Sequence, residues 1–190
     1  MVPNKGHEDT MYYKKRNTDL KLELYSKLII ECHPIYSKSP FKEALLERPA
    51  DFNIEHLVEQ AFEYNCEGQY KFIDGTHMDY DDESDAKTGT LHANGTSSKA
   101  EITSVKSKDG ILKKGSIRAI ILNPILKKLH FIFIPKDSLY KAMHTKNGKL
   151  KPSNSLWIQY NKKKNEFTTL KNYGIIECNS FKELAMEINR

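Results

Sequence analysis

The chain has 190 residues, 38% hydrophobic and 29% charged, which is enough for one folded domain and short for two. Its net charge of +5 averages two opposed blocks: 13 Asp/Glu against two Lys/Arg from Glu43 to Asp85, then 17 Lys/Arg against four acids from Lys99 to Lys171. Cys32, Cys66 and Cys178 lie far apart, which speaks against a disulfide framework or a paired-cysteine zinc site. With no apolar leader and no run long enough for a bilayer span, a reducing, cytoplasmic setting is expected.

Residues 1–10 read as a flexible arm ahead of a single domain over 11–190. Leu20, Leu24 and Leu28 predict a helix from Asp19 to Cys32, stopped by His33-Pro34, and a shorter one is expected over Phe41–Glu47. Asn53 is a good cap for a third helix to about Asn65, with Ile54, Leu57, Val58, Ala61 and Phe62 as its buried stripe. After Gly68 the pattern changes to strands: Gln69–Asp74, Ala86–Ala93, Ala100–Lys108, Ser116–Leu122, Leu129–Ile134, Trp157–Tyr160 and Glu166–Leu170. Asn94-Gly95 signals a hairpin between the second and third of these. Ser180 caps a last helix bearing Phe181, Leu184, Ala185 and Ile188 on one face. The expected fold class is α+β, with N-terminal helices packed on a central mixed, mainly antiparallel sheet and a C-terminal helix.

A carboxylate cluster next to a cationic surface suits a protein that grips a polyphosphate and holds a divalent metal against it. Phosphodiester hydrolysis needs one or two Mg²⁺ ions on carboxylates, an activated water, and a cation for the developing charge. In a strand, residues i and i+2 share a face, so Asp85-Ala86-Lys87 aims a carboxylate and an ammonium the same way.

With this triplet at a strand start, after a helix and before a hairpin, the chain resembles the PD-(D/E)XK nuclease superfamily. Type II restriction endonucleases are its commonest small members. The resemblance spans roughly residues 53–135 and implies a Mg²⁺-dependent, site-specific endonuclease acting on double-stranded DNA, with a homodimer expected so that both strands are cut. Two registers fit. In one, Asp74 is the leading Asp and Asp85-Ala86-Lys87 the (D/E)-x-Lys triplet. In the other, Asp85 leads and the hairpin delivers Glu101; Thr103 then stands where lysine belongs, and Lys106 is the substitute, in the triplet Ser104-Val105-Lys106. Asp85, Glu101 and Asp74 are therefore the expected metal ligands, Asp85, Lys87, Glu101 and Lys106 the catalytic set, and Glu59 a helical glutamate that could join them.

The remaining acids, Asp79, Asp81, Asp82 and Glu83, read as a solvated loop, and no EF-hand spacing is present. Lys108, Lys113, Lys114 and Arg118 cluster around one turn and are the expected DNA contacts, with Tyr140, Trp157 and Tyr160 as neighbouring aromatics. The other readings are a catalytically silent nucleic-acid-binding accessory protein, and a metal-dependent RNase.

Overall fold

In the computed structural model, residues 5–73, 78–92 and 98–188 are described, with side chains from residue 17 onward. The chain runs α1 (Lys5–Cys32), α2 (Phe41–Glu47), a 3-10 turn (Pro49–Asp51), α3 (Ile54–Asn65), β1 (Asp85–His92), β2 (Ser98–Ile102), β3 (Ile117–Asn123) and β4 (Lys128–Ile134). It continues with α4 (Lys136–Met143), β5 (Leu156–Asn161), β6 (Glu166–Phe167), α5 (Leu170–Tyr173), β7 (Ile176–Cys178) and α6 (Phe181–Met186). The fold is α+β. Helix α1 begins at Lys5, inside the segment expected to be an arm. The Asp74-Gly75 strand end and the Asn94-Gly95 turn lie outside the described residues.

The seven strands form one mixed sheet in the order β6-β5-β2-β1-β3-β4-β7. Strands β1 and β3 pair in parallel, and the other described pairings are antiparallel. Strand β3 is buried along its whole length, because alternate residues feed two cores. Ile120 packs with the apolar stripes of α1, α3 and α6, whereas Ile117, Ala119 and Ile121 pack with Leu139, Ala142 and Met143 of α4.

Local chemistry sets the ends of these elements. Asn53 caps α3 by accepting from the His56 N–H at 3.2 Å, and Ser180 caps α6 by accepting from Glu183 N–H at 3.1 Å. The strand expected over Ala100–Lys108 ends at Ile102, because Ser104 turns into the left-handed region with φ 57°. Lys106 then bridges to Leu112 across a separate hairpin. The strand expected at Gln69–Asp74 reduces to one bridge, Phe72 to Tyr80. That bridge turns the chain back so that residues 79–84 lead directly into β1.

Candidate active site

The acidic stretch before β1 is a closed turn, and its carboxylates divide by task. Tyr80 N–H donates to Ser84 O at 3.2 Å, and Glu83 N–H to Tyr80 O at 3.1 Å, with Glu83 at φ 66°. Asp81 accepts from Lys71 N–H at 2.8 Å, while Asp82 accepts from both the N–H and the hydroxyl of Ser84. These two side chains are spent on holding the turn. Gly115 allows the closure: a Cβ there would overlap the Glu83 carbonyl.

Asp79 and Asp85 are left facing each other. Asp79 N–H donates to Asp85 Oδ1 at 3.1 Å, and Ala86 N–H donates to Asp79 Oδ2 at 2.8 Å, so each carboxylate is fixed by the other's segment. Asp85 is only 3% exposed. Its other oxygen, Oδ2, accepts a hydrogen bond from Lys113 Nζ and lies 3.5 Å from Lys87 Nζ. The centre is thus two carboxylates and two ammonium groups at the start of the central strand.

The environment shifts three of these four groups in ways that matter. Burial, reinforced by the charge of Asp85, pushes the Asp79 carboxyl above the usual carboxylate range. Burial also holds Lys87 below the ordinary lysine value, helped by the neighbouring Lys113 charge and opposed by Asp85. Burial acts the same way on Lys113, but its hydrogen bond to Asp85 and that carboxylate's charge outweigh it and carry Lys113 upward. Burial thus lowers the proton affinity of one lysine, while Asp85 raises that of the other.

Asp85 lines a groove of about 440 Å³ together with much of the Ser104–Lys114 hairpin, including Lys113. A smaller cleft of about 240 Å³ on the other side of Ser104 is lined by Lys87, Thr88, Glu55 and Glu59. Glu59, the helical glutamate, thus borders the same cleft as Lys87.

Several residues singled out from the sequence stand elsewhere. Glu101 pairs with Thr90, five positions along β1 from Asp85 and of opposite parity, so its carboxylate leaves the other face of the sheet. There it accepts from Ser155 Oγ at 2.8 Å and lies 3.6 Å from His92 Nε2. Glu101 is therefore not a partner of Asp85, which corrects its assignment as a metal ligand and catalytic residue. Lys106 borders the groove, but its ammonium donates to the Lys151 carbonyl. Asp74 lies outside the described residues. Arg118 is corrected as a DNA contact: it is wholly buried, stacked 3.8 Å from the Tyr70 ring and bonded to Ser84 Oγ at 2.6 Å and to the Glu187 carbonyl. Lys108 and Lys114 remain exposed on the groove rim, while Lys113 turns inward to Asp85. Asp79 was missed because an acidic run looks like a solvated loop in composition. The signal was available in its spacing: Tyr80 to Ser84 is a run of turn formers that returns the chain on itself and brings Asp79 back beside Asp85.

The donor set can be tested against a metal. Mg²⁺ is held by one or two carboxylates plus substrate phosphate and keeps several waters. Asp79 and Asp85 would be the candidates for such a pair, with Asp79 Oδ2 and Asp85 Oδ1 each already accepting a backbone N–H. Among the described residues no group of three or more His, Cys, Asp or Glu side chains is placed to hold a metal ion. Comparison with family models, with curated proteins and with solved structures finds no match for this chain. No helix among the described residues is long and apolar enough to cross a membrane.

Proposed function

We propose that the protein is a Mg²⁺-dependent endonuclease of restriction type, hydrolysing phosphodiester bonds in double-stranded DNA as a homodimer. The observation that carries this reading is the buried Asp85 carboxylate, fixed against Asp79 and flanked by Lys87 and Lys113 where a groove with lysines on its rim begins. Two carboxylates would hold Mg²⁺, which when bound offsets phosphate charge and lowers the pKa of an attacking water. Lys87 would take a proton from that water only as the neutral amine, and as the ammonium would donate a hydrogen bond to the scissile phosphate. Lys113 stays charged and, released from Asp85, meets the developing negative charge on the phosphate. Lys108 and Lys114 attract the flanking backbone.

The test is incubation of supercoiled plasmid with the protein in Mg²⁺ or in EDTA. Nicked and linear products are expected in Mg²⁺ alone, with the rate reduced at least ~100-fold in Asp85→Asn, the scale of losing a positioned catalytic group. One feature favours a second reading, a non-catalytic binder of nucleic acid: the Asp85 carboxylate is already neutralised by Lys113. In that case binding would weaken with salt, be indifferent to Asp85→Asn and to Mg²⁺, and leave the plasmid intact.

A further inference from the structure

We infer that the groove beside Asp85 receives a single DNA nucleotide lifted out of the base stack, so that the substrate is cut next to an unpaired nucleotide. This rests on the nuclease reading and specifies the form of its substrate. Three observations lead to it.

The first is depth. Asp85 lines the groove and is 3% exposed, so a phosphate reaching it has to come closer to the protein than a duplex resting on the rim lysines would bring it. The strand has to leave the helix and descend.

The second is the lining. The groove volume of about 440 Å³ lies within the ~300–1,000 Å³ typical of small-molecule sites. Met78, Leu112 and Ile117 give it apolar walls suited to the faces of a base, while Lys108 and Lys114 lie where the phosphates on either side would pass. Ser116 is among the residues lining the same groove and is 1% exposed, and its buried hydroxyl has no hydrogen-bond partner. A buried hydroxyl in this state is costly unless a ligand atom pairs with it, and a base edge or sugar oxygen does so.

The third is the lip. The wall hairpin is closed by Ser107 N–H to Ile111 O at 2.8 Å and Gly110 N–H to Ser107 O at 3.0 Å. It carries Ile111 at 61% exposure, between Lys108 and Lys113 in sequence. An exposed β-branched apolar side chain on a cationic hairpin has the shape and charge of the wedges that proteins insert between base steps. Ile111 fills the space in the stack that the extruded base vacates.

Extrusion from an intact duplex costs stacking and pairing energy, and a nucleotide already unpaired spares that cost. The experiment measures fluorescence anisotropy with two short labelled duplexes, one perfectly paired and one with a single unpaired thymidine. Ca²⁺ replaces Mg²⁺ to prevent cleavage. The bulged duplex is expected to bind about tenfold tighter or better, and this ratio should fall towards one in Ile111→Ser, a change at an exposed tip. The plasmid assay is run in parallel. Equal affinity for the two duplexes, with plasmid cleavage intact, overturns the extruded nucleotide and leaves the nuclease. A bulge preference that depends on Ile111, with no cleavage, overturns the nuclease and upholds the groove's ligand. Absence of binding to either duplex overturns this inference whatever the plasmid shows.

Discussion

Replacing Lys113 by methionine tests whether an ammonium and a metal compete for Asp85. The Asp85 side chain is 4% exposed and that of Lys113 is 21% exposed, so their hydrogen bond is screened far less than a surface pair. A hydrogen bond to a charged group contributes about 1.5–3 kcal/mol. Lys87, still 3.5 Å from the same oxygen, keeps the loss below the ~3–5 kcal/mol of an uncompensated buried charge, and we take about 2 kcal/mol. For a chain of this length each kcal/mol moves Tm by about 2–4 °C, so Lys113→Met should melt about 4–8 °C lower in EDTA. A ligand at a hundred times its Kd adds about 2.7 kcal/mol of stability. On the proposed reading, Mg²⁺ would first have to displace Lys113 in the native protein and so would forfeit most of that gain, whereas in the variant it would take a vacant position. Thermal melts of both proteins, in EDTA and in saturating Mg²⁺, should show the variant losing in EDTA and recovering most of the difference with the ion. Equal melting in EDTA, or the same Mg²⁺ increment in both proteins, would refute the idea that Lys113 and the metal share one carboxylate.

The pH response of Asp79 has a definite sign. Its folded pKa is raised, so between the ordinary 3.8 and that raised value the native state holds the proton more tightly than the unfolded chain, and stability falls as pH rises through the window. Asp79→Asn removes this slope, so in EDTA the variant should melt higher than the parent at neutral pH and equal it near pH 3; a parent at least as stable at neutral pH would contradict the assignment. Lys87→Met should lower the single-turnover cleavage rate by about 10²-fold or more, and Lys87→Arg should not restore it, because a guanidinium does not give up its proton at working pH. Full activity in Lys87→Arg would show that only the charge is needed there. Arg118→Ala should cost about 3 kcal/mol in urea unfolding, the scale of breaking up a buried charged cluster, while the folded protein keeps its affinity for DNA. Lost affinity at undiminished stability would return Arg118 to the binding surface.

Helices α2, α3 and α6 and strands β1, β3 and β4 were legible because their signals are local: a cap, an apolar stripe, a proline stop. Helices α4 and α5 and strand β7 were not, since each spans at most two turns or a few residues and owes its existence to packing on the sheet. The site divided along the same line. Asp85 and Lys87 are two positions apart on one strand, so chain geometry alone aligns them. The error over Glu101 arose from register, which the pairing Thr90–Glu101 fixes and which no reading of the hairpin residues could supply. Lys113 was recognised as a cation but assigned to the surface, because its partner lies 28 residues upstream and meets it only through the β1–β3 pairing. Arg118 was misjudged for a related reason: its charge suggested solvent, but Tyr70, Ser84 and Glu187 enclose it.

The parallel pairing of β1 with β3 bears on when the site is assembled. Neighbours so distant in sequence close a long loop before any contact rewards them, which makes such pairings slow steps of folding. Helices α1 and α3 and the acidic turn can form from nearby residues, yet until β3 docks the carboxylates have no Lys113 beside them and the groove has no wall. A chain that has not yet docked β3, whether newly synthesised or partly melted, therefore has neither the four-charge centre nor the groove. Both arrive together with the completed sheet.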